Sequence, residues 1–220
     1  MSSDSPSAKT SQFILTQRGL LLVVLFGVLV PLFVLWWLAE AIRSQRNPVW
    51  DGAILAYLHR SARPGWDHVM AFLARGGDIN VGLILAVIAV MVLKLERRLR
   101  DALFVSVAVV GVVIINALVR TAGLGMQVFT WGSLARTLDS GFPSSQAADS
   151  FALALACAIV AWSTRWRWLA IGLGVLYVLS VALSRIYLDL HYPSDIVAGW
   201  ALSLAWVIAA SFVRRIPIKL

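Results

Sequence analysis

The chain has 220 residues, of which 60% are apolar and 14% charged, with a mean hydropathy of +0.83. Water-soluble domains carry charge on about a quarter of their residues, so this composition indicates a membrane protein. The net charge of +8 does not point to nucleic acid, because Lys and Arg stand between apolar runs and not along one polar helix face; the single Cys157 excludes a disulfide framework and a cysteine metal cluster.

Residues 1–12 (MSSDSPSAKTSQ) are polar and Ser-rich, and residues 1–18 are expected to form a disordered cytoplasmic tail before a single membrane domain over 19–220. Leu20 to Ala39 is long enough, at about 1.5 Å per residue, to cross a hydrocarbon core of about 30 Å. It therefore reads as a first span and not as a cleaved signal. Pro48 to Ala74 mixes Trp50, Ile54, Leu55, Leu58, Val69, Met70 and Phe72 with Asp51, His59, Arg60, Arg63 and Asp67. Apolar positions at helical spacing beside charges predict one or two interfacial helices, broken at Pro64-Gly65. Five further apolar runs follow, at about Ile79–Leu93, Ala102–Val119, Ala147–Trp162, Trp168–Leu183 and Ile196–Val213. Unbroken runs of this kind satisfy their backbone only as helices. The predicted fold is all-α, a six-transmembrane-helix bundle with an amphipathic interfacial segment after the first span. Gly172 and Gly174 read as packing positions between spans.

Orientation follows from the basic residues. Lys94, Arg97, Arg98 and Arg100, then Arg165 and Arg167, then Arg214, Arg215 and Lys219 fall on one side, with Lys9 and Arg18 of the tail. Short cytoplasmic loops carry such an excess, which places both termini in the cytoplasm and the remaining loops outside an inner membrane. Arg43, Arg46, Arg60, Arg63 and Arg75 need not obey that rule if they lie on a surface helix.

Chemistry is expected where polar residues have no topological reason to be. One outer loop runs from Arg120 to Gln146 and closes with Gly141-Phe142-Pro143-Ser144-Ser145-Gln146; the other is Ser184 to Asp195. Spans four and six begin at these loops, and helix N-termini with free amides form an anion site. Pro143, Ser144 and Pro193 suit helix starts. Asp195, four residues after His191, is placed to orient one imidazole nitrogen and aim the other at a substrate, while Arg185 and Arg120 supply charge for phosphoryl oxygens. His59 and His68 read as solvated interfacial residues. Asp149 lies inside the outer end of span four, where a carboxylate is a functional candidate or a partner for Arg120 or Arg136. No ligand-spaced His or Cys cluster indicates a metal, and Gly123 and Gly125 lack the Gly-Lys-Ser/Thr of a nucleotide loop.

Ser184-Arg185, five residues, His191, three residues, Asp195 resembles the third signature of the type 2 phosphatidic acid phosphatase and vanadium haloperoxidase superfamily, in its membrane lipid phosphatase branch. The resemblance implies His191 as nucleophile, Asp195 as its orienting partner and Arg185 as a phosphate ligand, with no cofactor or metal and a membrane lipid phosphate or diphosphate as substrate. Two other signatures depart from the pattern. Pro-Ser-Gly-His reads Pro143-Ser144-Ser145-Gln146, so Gln146 stands where the family has its general-acid histidine, with Ser144 and Ser145 at phosphate-binding positions. Lys, six residues, Arg-Pro reads Arg120 then Gln127-Val128, so Gln127 offers only neutral hydrogen bonds.

Glutamine cannot protonate a leaving oxygen, a loss that weighs most on an alkoxide and least on a phosphate leaving group. The expected activity is thus a lipid phosphate or diphosphate phosphatase favouring polyprenyl or other lipid diphosphates, with Asp149 or Asp139 as the alternative acid. Two other readings stand beside it: a silent relative that binds or translocates phosphorylated lipids, and a membrane scaffold for partner proteins. Nucleic acid is not expected, and oligomeric state is not specified.

Overall fold

The computed structural model describes residues 18–61, 63–121 and 141–212, and among them every regular element is a helix. The expected tail, Gln127, Arg136 and Asp139 lie outside the described residues. In chain order the helices are α1 (Arg18–Arg43), α2 (Val49–Ser61), α3 (Pro64–Gly76), α4 (Ile79–Leu95), α5 (Leu99–Val119), α6 (Ser145–Ala161), α7 (Arg167–Tyr187) and α8 (Pro193–Ser211). A π-helical stretch, Leu25–Leu29, interrupts α1.

All six apolar runs fall in helices, and the expected break at Pro64-Gly65 separates α2 from α3. Among the described residues four helices, α1, α5, α7 and α8, are long and apolar enough to span a membrane, and a fifth span arises if α3 and α4, bent by 52° at their junction, are taken together; the expected count of six is not confirmed. α4 and α6 have only 17 residues each, about 25 Å of helix against a hydrocarbon core of about 30 Å.

Local chemistry sets the helix ends. Pro64 and Pro193 occupy the first turns of α3 and α8, where a missing N–H costs nothing. Ser144 caps α6, its hydroxyl accepting from the Ala147 N–H at 3.4 Å. α1, α4 and α7 end in the same way, with Gln45, Arg97 and Asp189 in the left-handed region (φ 57°, 58° and 55°). At each end the next amide reaches back to a carbonyl five residues earlier, as Leu190 N–H does to Arg185 O at 3.0 Å.

α6 and α8 form the centre. α8 is the most buried of the four long spans and α1 the least. The largest apolar cluster joins Phe104, Val105 and Val112 of α5 to Leu153 and Val160 of α6 and Val207 of α8. The Ser203 hydroxyl donates to Ala148 O at 2.7 Å across the α6–α8 contact. α3 is fastened to α7 at three levels: Tyr177 to Gly76 O (2.9 Å), Arg185 to Ala74 O (3.1 Å) and Tyr187 to Asp67 (2.8 Å).

Gly199 explains how close α6 and α8 come. A β-carbon there would stand 2.6 Å from Ser144 O and 3.1 Å from Ala148 N, both backbone atoms that cannot swing aside. Gly174 is a packing position, as expected, with Ala154 Cβ at 3.2 Å, but Gly172 has nothing within 4 Å and faces open space. Gly199→Ala should therefore destabilise the protein by about 1–3 kcal/mol. Gly172→Ala should stay within about 0.5 kcal/mol of wild type. Thermal unfolding in detergent measures both; equal midpoints for the two variants would refute the close approach.

Candidate functional site

Two helix N-termini meet at the site. The Ser144 N–H, at the cap of α6, donates to Asp195 O in the first turn of α8 at 3.2 Å, joining the two sequence motifs through their backbones. Around this contact the predicted residues fall into two groups.

The first group surrounds His191. Its imidazole is buried, with Nδ1 3.5 Å from Asp195 Oδ2. That is ion-pair range but beyond a hydrogen bond, and neither ring nitrogen has a hydrogen-bond partner. Asp195 Oδ2 instead accepts the Tyr192 N–H at 2.9 Å, the N3 acid reaching back to the start of its own helix. The turn that ends α7 also fixes His191, whose N–H points to Arg185 O at 3.3 Å.

α2 grips this loop on both sides of the histidine. Asp51, buried, accepts from Ser194 N–H at 2.9 Å and from Ser194 Oγ at 2.6 Å. Two turns along the same helix, His59 Nε2 meets Asp189 Oδ2 at 2.8 Å. His59 and His68 are both exposed, as expected, but the left-handed turn at Asp189 also brings a carboxylate to His59. Burial, followed by the Asp195, Asp51 and Asp189 carboxylates, pushes the Tyr192 phenol up.

Arg185 is buried and already engaged. Its Nη2 donates to Ala74 O and Asp78 Oδ1, both at 3.1 Å, while Nε is buried without a partner. The arginine is thereby held against the α3–α4 bend with its Nε donor left over.

The second group lies on the other side of α6. Arg120, Ser145, Gln146 and Asp149 line a cavity of about 210 Å³ with Asn116 of α5 and Ile79 of α4. Arg120 Nη1 is 3.5 Å from Ser145 Oγ. Gly77, beside the bend that holds Arg185, lies so near Gln146 that an added β-carbon would be 3.4 Å from Gln146 Cβ. Among the described residues no group of three or more His, Cys, Asp or Glu could hold a metal.

The PAP2 superfamily sequence model matches residues 116–216. That stretch contains both motifs and the helices that carry them. Over 59 residues the chain is 48% identical to the lipid A 4'-phosphatase of Bacteroides thetaiotaomicron, covering 27% of this chain and 24% of that protein. Over 45 residues it is 38% identical to the undecaprenyl-diphosphatase of Sulfolobus acidocaldarius, covering 20% of each. The matched segments thus span a quarter or less of these relatives. The fold resembles the crystal structure of a transmembrane PAP2-type phosphatidylglycerolphosphate phosphatase from Bacillus subtilis, with a TM-score of 0.70 and 17% identity over 84% of this chain and 94% of that one. The chain is a multi-pass membrane protein.

Sequence reading missed Asp51, Asp78 and Asn116. Asp51 and Asp78 look like ordinary helix-start acids, and their partners lie 143 and 107 residues away. Asn116 did give a signal, a lone carboxamide within an apolar run.

Asp51 supports a test. Burial, with the neighbouring Asp195 carboxylate adding to it, holds Asp51 above its ordinary value of 3.8, while the Ser194 bonds pull it down. The folded chain therefore binds this proton more tightly than the unfolded chain. That stabilisation is complete below pH 3.8 and is lost as pH rises through the raised pKa. Wild-type stability minus that of Asp51→Asn should fall as pH rises above 3.8 through the raised pKa. Asp51→Ala should cost about 1–3 kcal/mol by leaving the Ser194 donors unsatisfied. Thermal unfolding against pH checks both; a pH-independent difference between wild type and Asp51→Asn would contradict the assignment.

Proposed function

We propose that this protein is a membrane lipid phosphohydrolase that uses His191 as nucleophile and prefers lipid diphosphates to phosphatidate. The observation that carries this reading is the buried His191–Asp195 pair at the N-terminus of α8, joined backbone to backbone with the Ser144 cap of α6. The names of its relatives, one for lipid A and one for undecaprenyl diphosphate, support a phosphorylated lipid as substrate.

In this mechanism His191 Nε2 attacks phosphorus while Asp195, beside Nδ1, stabilises the charge that develops on the ring. The free Nε of Arg185, Arg120 with Ser145, and the converging helix N-termini compensate the phosphoryl oxygens. Ser144 and Gln127 belong to the same phosphate-binding set. Gln146 donates a hydrogen bond to the leaving oxygen without supplying a proton. A phosphate leaves readily under those conditions, whereas an alkoxide needs an acid, and Asp149, one turn along α6, is the acid assigned to that slower reaction. Water then releases phosphate from the histidine.

The site faces the outside of an inner membrane, with residues 1–18 and the C-terminus in the cytoplasm and residues 19–220 acting as one domain. Lysine and arginine on the α4–α5 and α6–α7 connections support this orientation. Arg98 among them also serves the fold, donating to Val160 O at 3.0 Å at the end of α6. The engagement of Arg185 by Asp78, with Gln146 in the acid position, favours a second reading in which the protein binds phosphorylated lipids without cleaving them.

Phosphate release from a polyprenyl diphosphate and from phosphatidate separates these readings. Wild type should act faster on the diphosphate, and His191→Ala should act on neither. Gln146→His should raise phosphatidate cleavage by about 10²-fold or more, the usual worth of a general acid, and diphosphate cleavage much less. Equal wild-type rates on the two substrates would overturn the preference. Lipid binding without release by wild type and by Gln146→His would select the binding protein.

A further inference from the structure

The cavity beside Gln146 has a chemistry that phosphate binding alone does not use. Asn116 and Arg120 lie on one face of α5, four residues apart, with Val113 and Ala117; Ser145, Gln146 and Asp149 face them from α6. Asn116 is 2% exposed, and neither its Oδ1 nor its Nδ2 has a hydrogen-bond partner; Gln146 Oε1 is likewise buried and unpartnered. Three orphaned amide atoms around one cavity need an explanation, since buried polar groups are nearly always satisfied. At roughly 30 Å³ per molecule, a space of about 210 Å³, apolar over much of its wall but with polar groups clustered at Asn116, Arg120, Ser145, Gln146 and Asp149, has room for several waters. The carboxamides, guanidinium, hydroxyl and carboxylate in its walls supply the two to four partners that each water needs. A second phosphoryl group fits worse, because the Asp149 carboxylate in the same wall would repel it.

We propose that waters held by Asn116 and Gln146 relay a proton between Asp149 and the oxygen that leaves phosphorus, with Asn116 as the positioning residue. The relay rests on the phosphohydrolase reading above. In the first step a bond forms from His191 Nε2 to phosphorus and the bond from phosphorus to the leaving oxygen breaks. That oxygen keeps the electron pair and takes a proton from a relay water, which is reprotonated by the Asp149 carboxyl group. In the second step water attacks phosphorus and the phosphorus–nitrogen bond breaks with its pair returning to the ring. The proton of the attacking water then returns along the relay to Asp149. One water is consumed and Asp149 ends as it began. Gln146 thus orders the path but does not itself carry the acid.

The test uses the full chain in detergent, with phosphatidate and a polyprenyl diphosphate as substrates. Asn116→Leu removes both orphaned atoms and fills part of the cavity. Its kcat should fall at least tenfold more on phosphatidate than on the diphosphate, with KM nearly constant, within the general-acid range of about 10²- to 10⁴-fold. Asp149→Asn should show the same selectivity, and the double variant should lose no more than the worse single one. Asn116→Ser, which keeps a donor and an acceptor, should restore part of the phosphatidate rate, and an unchanged or raised unfolding temperature for Asn116→Leu shows that it folds. Equal losses on both substrates, multiplied losses in the double variant, or no loss at all would overturn the relay. If wild type is active and His191→Ala silent while Asn116→Leu matches wild type, the relay alone fails. If neither wild type nor Gln146→His releases phosphate from either lipid, the phosphohydrolase reading fails and the relay with it.

Discussion

The backbone contact between the first turns of α6 and α8 is the constraint on which the site depends. Ser144 N–H to Asp195 O brings two helix N-termini together, although like ends of helix dipoles repel. Several features offset this. Gly199 lets the backbones approach, the Ser203 hydroxyl bridges to Ala148 O one turn further in, and the Asp51 and Asp195 carboxylates accept the amides of Ser194 and Tyr192 at the start of α8. Negative side chains at that end compensate the converging partial charges, so the contact stabilises the bundle and also defines where an anion is attracted.

Three carboxylates crowd the loop that carries His191, yet each is occupied. Asp195 serves the Tyr192 amide, Asp51 serves Ser194 and Asp189 meets His59. Because α2 provides two of these partners, a helix read from its composition as interfacial grips the His191 loop on either side of the histidine. The left-handed turn at Asp189 makes the second grip geometrically available. The position of His191 is thereby coupled to the seating of α2, which shares no sequence motif with that loop.

Helices were legible because their causes are local: apolar runs, prolines at first turns and a serine cap at Ser144 all act within a few residues. The motif at Arg185, His191 and Asp195 was legible for the same reason, being contained in one loop and one helical turn. The number of crossings is less legible, since apolarity marks a helix for the membrane but 17-residue α4 and α6 are short against a hydrocarbon core of about 30 Å. Partners remote in sequence were not legible. Nothing near Asp78 announces Arg185, and nothing near His59 announces Asp189. Gln127 falls outside the described residues, so its place beside the phosphate set rests on motif spacing alone.

The two halves of the site differ in a way that bears on leaving-group choice. Around His191, Asp51 and Asp195 are buried and each accepts from the start of α8, which suits the proposed nucleophile, to be oriented while its solvation stays low. Around Gln146 polar groups stand in a largely apolar wall, the amide atoms are unsatisfied and the space is large enough for water. A phosphate leaving group carries its charge away stably and asks little of that space beyond hydrogen bonds and the Arg120 guanidinium. An alkoxide asks for a proton, and on the proposed relay a route through the cavity delivers it. On that reading a carboxamide in place of an imidazole at position 146 does not close the acid side of the site; it would turn a direct donor into one wall of a water-filled path and make leaving-group basicity the quantity that separates one substrate from another.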